Sequence, residues 1–409
     1  MKFVDSYKIT VLAKTTPEVR VNEDPKAAQG KAGSIALRAQ TLAVSPRTKL
    51  REVSGDVASA LHLSTTFEHG PAYERLHGYS YARDDNPNVR QFEDQLGALE
   101  GAADCVAFAS GVAAGAALAQ TLPPGARFLF HRDTYLDFKN MVATYFPRWQ
   151  LTADYVDMTD LGALAAALKT PCALVWFETP SNPCLDIIDI ASVVALAHGA
   201  NAKVVVDGTF ASPAAQQPLA LGADYCLQAA TKYIGGHSDV MGGALACRAI
   251  EDGKVLRRYR KLTGGVMAPF SAWLAARGLQ TLFCRMAAQS QTAAELATRL
   301  SVHPAIAIVH YPGLADHPGH AIAAAQMAHF GAMVSFQLAG GATAALETTA
   351  NVELFTTATS LGGVESLIEH RASVEGGTTD TPPGLLRASI GLEHEDDLWA
   401  DLEQALPTS

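Results

Sequence analysis

Apolar residues come in short runs through the middle of the chain, separated by longer stretches in which apolar and alanine positions recur at helical spacing. The runs Cys105–Ala109, Ala126–Phe130, Ala173–Phe177, Lys203–Val206 and Tyr225–Ala229 have strand length. Val112–Leu122 and Ile188–His198 have helical length and texture. This alternation predicts an α/β fold with a mostly parallel central sheet covered by helices on both faces, because strands buried on both sides read as continuous apolar runs. After about Ala275 the spacing changes to long helical stretches, Phe283–Leu300 and Gly319–His329, interleaved with the short strands Ala305–His310 and Ala332–Leu338. A second, smaller α/β domain follows from that change. Residues through Gly33 carry mixed charges, Pro17 and Pro25 without a clean period, and read as a loosely ordered arm. The expected organisation is an N-terminal arm over 1–80, the larger domain over 81–275 and the smaller one over 276–409.

Composition narrows the class of protein. Of 409 residues, 48% are hydrophobic and 18% charged, the profile of a protein with a large buried core. A formal charge of −10 would repel phosphate backbones, so nucleic acid is not expected as a partner. No stretch of about 20 residues is free of charged or strongly polar side chains, which argues against a membrane span. Lys2, Asp5, Lys8 and Lys14 interrupt any apolar leader, so the cytoplasm is the expected location. The six cysteines contain no CxxC pair and are expected as free thiols, without a zinc ribbon or a disulfide framework.

In a parallel α/β sheet ligands bind outside the carboxyl ends of the strands, so candidate chemistry is sought after each run. Ser110-Gly111 follows the first and opens a helix, where free backbone N–H groups can meet an anion; the same pair also serves as a plain helix cap. Asp207 ends Lys203–Val206, and a carboxylate at the end of a buried strand needs a cationic answer unless it merely caps a turn. Lys232 follows Tyr225–Ala229 and precedes Gly235-Gly236, a place where partial desolvation would lower its pKa toward that of a usable nucleophile. An anion cup, a buried carboxylate and a strand-end lysine are what pyridoxal 5′-phosphate requires, and Tyr135, after the next strand, could stack on its ring.

These residues sit within segments that resemble the Cys/Met-metabolism, transsulfuration-type family of PLP enzymes: Tyr79-Ser80-Tyr81-Ala82-Arg83 with Asn86-Pro87, Ala109-Ser110-Gly111, Glu178-Thr179-Pro180-Ser181-Asn182-Pro183, Val206-Asp207 and Ala230-Thr231-Lys232-Tyr233. Gly236-His237-Ser238-Asp239, Arg277-Gly278-Leu279, Tyr311-Pro312-Gly313-Leu314, Ser360-Leu361-Gly362-Gly363 and Leu386-Arg387-Ala388-Ser389 continue the series in order. The resemblance implies the PLP-dependent transferase fold, type I. It implies that Lys232 carries the cofactor and shuttles the Cα proton, that Asp207 pairs with the pyridine nitrogen, and that Tyr135 stacks on the ring. Ser110, Gly111, Val112, Thr209 and Thr231 would complete the cofactor site. Tyr81 and Arg83 would reach the phosphate of a neighbouring subunit, in a homotetramer built from dimers with shared sites. Asn182, Ser360 and Arg387 would bind the carboxylate of a small amino-acid substrate. The expected reaction is elimination at Cγ, with γ-replacement and then β-elimination as alternatives, and a catalytically idle binding or regulatory subunit as the rival from another class.

The chain also departs from the family's usual pattern. Ala229-Ala230 stand where one more hydroxyl is usual, Gly208 follows Asp207 where asparagine is frequent, Thr359 replaces a common glutamate and Arg371 a common proline. Asp137, two residues after Tyr135, and Asp84-Asp85, beside Arg83, add carboxylates near the expected substrate channel. One reading is that Asp84-Asp85 is a turn pairing with Arg83 or Arg90 and that Asp137 caps the next helix. The other is that Asp137 or Asp85 faces a cationic distal group, which would suit cystathionine or canavanine and exclude methionine. His310, His317 and His320 lack the spacing of a metal site, and none is expected. Arg257, Arg258, Arg260 and Lys261 read as a solvated or subunit-facing helix surface.

Overall fold

Two sheets organise the chain, and the computed structural model describes residues 37–44, 57–376 and 381–407 of it. The expected loose arm through Gly33 lies outside the described residues. The larger sheet has seven strands: β1 (Asp104–Phe108), β2 (Arg127–His131), β3 (Thr152–Val156), β4 (Leu174–Glu178), β5 (Lys203–Asp207), β6 (Tyr225–Gln228) and β7 (Gly243–Cys247). Their spatial order is β1-β7-β6-β5-β4-β2-β3. Every pair is parallel except those made by β7, which runs antiparallel to both β1 and β6. The mostly parallel sheet expected from the apolar runs is therefore present, with β3 and β7 added.

Both additions have a physical reason. The sequence Thr-Ala-Asp-Tyr-Val of β3 lies at the sheet edge and is largely solvated, so it lacks the apolar run of a buried strand. The sequence Gly-Ala-Leu-Ala-Cys of β7 is fully buried, but its small residues carry little strand preference. Helices Gly111–Thr121 and Ile190–Gly199 close the crossovers, capped by the side chains of Ser110 and Asp189. Aromatic residues Phe128, Phe130, Phe138, Phe146 and Trp176 fill one face of the sheet, while Val204, Val206, Phe177 and Leu129 point into the core on the other.

Helix Leu282–Ser301 leads to the second sheet, whose strands β8 (Ile306–His310), β9 (Met333–Leu338), β10 (Thr356–Thr357), β11 (Leu367–His370) and β12 (Leu385–Ser389) lie in the order β10-β11-β12-β9-β8. Its pairs are antiparallel apart from β10 with β11. Register places Glu369 on β11 directly opposite Arg387 on β12. No helix among the described residues is long and apolar enough to cross a membrane. All six cysteines are unpaired.

Candidate active site

The carboxyl ends of β1, β5 and β6 border a cavity of about 310 Å³ lined by Ser110, Gly111, Val112, Tyr135, Asp137, Asp207, Thr231 and Lys232, among others. Ser110 is the N-cap of the helix that starts at Gly111, and its Oγ accepts from the Ala113 N–H at 3.1 Å. A Cβ built on Gly243 would lie 2.4 Å from the Gly111 nitrogen, so only glycine lets β7 run this close beneath the helix start. The free N–H groups of that first turn border the cavity, as an anion site requires. Thr231 braces the opposite wall through its Oγ1, which donates to the Gly242 carbonyl at 3.3 Å and accepts from the Gly242 N–H at 3.1 Å.

Asp207 ends β5 in full burial. Thr209 donates its N–H to Asp207 at 3.0 Å and uses its hydroxyl to accept from the Ala229 N–H, so it steadies the carboxylate from behind. No cationic side chain among the described residues pairs with Asp207. Burial pushes its carboxyl up to about 6, against the opposing hydrogen bonds from Thr209. The answering cation expected from the sequence is thus not a side chain among the described residues, and a protonated pyridine nitrogen fits the place. Glu178, paired with Asp207 in the register of β4 and β5, is pushed well above the carboxylate range by burial and then by Asp207 itself.

Lys232 donates to Ser360 Oγ at 2.8 Å. Burial, and next the neighbouring Arg387, bring its ammonium down to about 8, with Glu369 opposing. Ser360 has φ 118°, a left-handed backbone that a side chain rarely adopts. Gly362 makes the approach of this turn possible, since a Cβ there would sit 2.6 Å from the Tyr233 nitrogen. Tyr135 is 37% exposed and donates its hydroxyl to Asp137 Oδ2 at 2.9 Å. Burial, then Asp137, push its phenol up to about 12, so it stays protonated at neutral pH. Asp137 therefore lines the cavity, yet it caps no helix: Tyr135 occupies the N-cap position without a side-chain bond.

A second group of charges lies beside Lys232. Arg387 Nη1 donates to Asn182 Oδ1 at 2.8 Å, and its Nη2 to Glu369 Oε2 at 2.7 Å and to the Ser360 carbonyl at 3.2 Å. Burial, then Arg371, bring the Arg387 guanidinium down to about 10. Arg371 donates to the same Glu369 oxygen at 2.7 Å and to Glu375 at 2.5 Å, while Thr359 donates to Glu369 Oε1 at 2.6 Å. Asn182, Ser360 and Arg387 are thus brought together as expected of a carboxylate site. Glu369 and Glu375 escaped the sequence reading, although Glu369 sits two residues before Arg371 and Glu375 one helical turn after it.

Other candidates lie elsewhere. Asp85 is bound by Arg90 at 3.0 and 2.5 Å, and Asp84 by Lys261 at 2.7 Å and Arg75 at 3.7 Å, so neither lines the cavity of its own chain. The turn pairing holds for Asp85, which meets Arg90 as expected, whereas Asp84 is turned instead toward Arg75 and Lys261 of helix Ile250–Thr263. Tyr81 is 45% exposed, with the Arg83 guanidinium 5.4 Å from its ring, and this pair too stands outside its own chain's cavity. Within the basic run Arg258 and Lys261 are exposed as expected, but Arg260 is only 1% exposed and binds Glu93 at 2.6 Å, and Arg257 binds both Glu93 and Asp104 at 2.6 Å. That helix face covers β1 and helix Pro87–Glu100, which supply the acids. His310 pairs with Gln337, and His317 and His320 bond to backbone groups.

A family model described as Cys/Met metabolism PLP-dependent enzyme matches residues 40–407. The chain belongs to this family. Cystathionine gamma-synthase of Mycobacterium tuberculosis is 44% identical over 359 residues, covering 86% of this chain and 92% of that protein. Cystathionine beta-lyase of Bacillus subtilis is 39% identical over 364 residues, covering 86% and 92%. A solved methionine gamma lyase from Micromonospora echinospora superposes with TM-score 0.85 at 41% identity, covering 91% of this chain and 99% of that one. As a family member the enzyme depends on PLP and acts on amino acids, and its fold is the type I fold expected from the resemblance. The buried, uncompensated Asp207, the helix start at Gly111 and the half-desolvated Lys232 fit that cofactor.

Proposed function

We propose that this enzyme eliminates a substituent from Cγ of an L-amino acid, releasing a 2-oxo acid and ammonia. The observation that supports the reading is that the cavity holds a base, Lys232 on Ser360, able to serve Cα and then Cβ, and a separate acid, Tyr135 on Asp137, for the departing group. Loss from Cγ requires proton removal at Cα and again at Cβ, whereas loss from Cβ requires only the first. Bound PLP supplies an electron sink that acidifies these carbons. Arg387, Asn182 and Ser360 hold the substrate carboxylate and so point Cα at Lys232. Lys232, whose ammonium is brought down to about 8, would take the Cα proton. The protonated phenol of Tyr135 can give its proton to a departing group, with Asp137 orienting the hydroxyl.

Replacement at Cγ is the second reading, supported by the 44% identity to a cystathionine gamma-synthase. Incubation with γ-substituted amino acids, with and without a thiol acceptor, separates them: elimination releases oxo acid without the thiol, and replacement consumes the thiol with little oxo acid. A cationic distal group remains part of the proposal through Asp137 alone, since Asp84 and Asp85 are bound elsewhere. We also propose that Tyr81 and Arg83 complete the phosphate site of a second copy, in a homo-oligomer working in the cytoplasm. Mixing Lys232→Ala subunits with Arg83→Ala subunits should then restore activity at hybrid sites, and verified hybrids without activity would place the pair's role within one chain.

A further inference from the structure

Four buried charges stand in a row that alternates in sign, running from Arg387 through Glu369 and Arg371 to Glu375. Only the first touches the carboxylate site. Glu369 Oε2 is the hinge of the row: Arg387 Nη2 and Arg371 Nη1 each donate to this one oxygen at 2.7 Å. All four side chains are buried, so these contacts act with little screening by water. Without Arg371, Arg387 and Glu369 would form a closed ion pair on facing positions of β11 and β12. An incoming carboxylate would then have to compete with Glu369 for the same guanidinium.

We propose that Arg371 is a positioning residue for carboxylate recognition: it shares Glu369 with Arg387 and so keeps Arg387 available to the substrate. Glu375 holds Arg371 from the far side, and Thr381 holds the other oxygen of Glu375, so the second guanidinium is not left as an unpaired buried cation. The influence of Arg371 reaches the site directly, since after burial it is the main neighbour that lowers the Arg387 guanidinium. A proline at position 371 could supply none of this. The inference rests on the proposed role of Arg387 in binding the substrate carboxylate.

Glycine has an α-carboxylate and no leaving group, so its binding to the holoenzyme, measured by calorimetry, reports recognition apart from turnover. Arg371→Met should weaken glycine binding by about tenfold, the scale of one altered charge contact in a buried site. Arg371→Lys should recover part of the loss. Adding Glu369→Gln to Arg371→Met should bring affinity back to within about threefold of the wild type, because the competing anion is gone. A purely structural role predicts the opposite, since the double variant has lost two buried groups instead of one. Melting temperatures of all three variants identify any that fail to fold, and the lysine variant keeps the charge if the methionine variant does. Undiminished glycine binding in Arg371→Met, or no recovery in the double variant, overturns the proposal. If Arg387→Ala also binds glycine normally, it is the role of Arg387 that fails; if Arg387→Ala weakens binding and Arg371→Met does not, only the role of Arg371 fails.

Discussion

Asp207 on the seven-stranded sheet and Arg387 on the five-stranded sheet are both buried ionisable groups, but their surroundings differ in kind. Asp207 has hydrogen bonds from Thr209 and no cation among the described residues, and burial raises its carboxyl to about 6. Arg387 has Glu369, with Arg371 and Glu375 behind it, so its charge is balanced before any substrate arrives. The proposed cofactor site holds an acid that no cation among the described residues cancels, which leaves it for the cofactor to answer. The carboxylate site is already paired, and a ligand must share its cation. Desolvating a charge is costly in both places; the two sheets differ in whether the compensation comes from the ligand or from the fold.

The sharpest way to break this comparison is at Lys232, which both regions border. Lys232→Ala should lower turnover by on the order of 10³-fold or more, as expected for losing covalent attachment and proton transfer together. Borohydride reduction of the holoenzyme followed by peptide mapping should place the pyridoxyl group on Lys232, and a label on another lysine would refute the assignment. Next in size is Arg387→Ala, which should weaken substrate binding by about 2–4 kcal/mol and leave the cofactor's visible absorbance intact. Unchanged kinetics would remove Arg387 from the site.

Asp207 sharpens the comparison through pH. Its folded pKa is raised above the ordinary 3.8, to about 6, so its contribution to stability is fully present below 3.8 and is lost as pH rises through about 6. The cofactor-free wild type should therefore lose up to about 3 kcal/mol between those limits relative to Asp207→Asn, as two pKa units imply. Melting temperatures of both cofactor-free proteins across pH 4–8 test this, and parallel curves would mean that Asp207 is not uncompensated. A neutral amide at this position cannot match a charged acid toward a protonated pyridine nitrogen, so the same substitution should weaken the holoenzyme. The smallest effect is expected at Asp137. Asp137→Asn should change turnover by less than about tenfold and reduce the preference for cystathionine or canavanine over methionine. Equal turnover of methionine by the wild type, or an unaltered ranking in the variant, would exclude a cationic distal group.

Much of the larger sheet was legible because each buried strand is a continuous apolar run, and β1, β2, β4, β5 and β6 lie within a residue or so of those runs. Ser110, Asp207 and Lys232 were legible for the same local reason, since each follows the end of such a run. The edge strand β3 is too polar to carry that signal, and β7 is built of residues too small to distinguish it from a helix. Asp137 was legible as a carboxylate near Tyr135, but its hydrogen bond to the phenol depends on how the helix begins.

Residue order by itself determined the fold class and the cofactor and pointed to the residues proposed to hold it, because strand, turn and reactive side chain are neighbours along the chain and their chemistry is local. Tertiary structure decided which charges were already taken. Arg257 meets Asp104 across 153 positions and Arg387 meets Asn182 across 205, distances over which no periodicity connects the partners. Sheet register and helix packing bring them together, and in a buried site it is that pairing which sets whether a charged side chain holds the fold or remains available to a ligand.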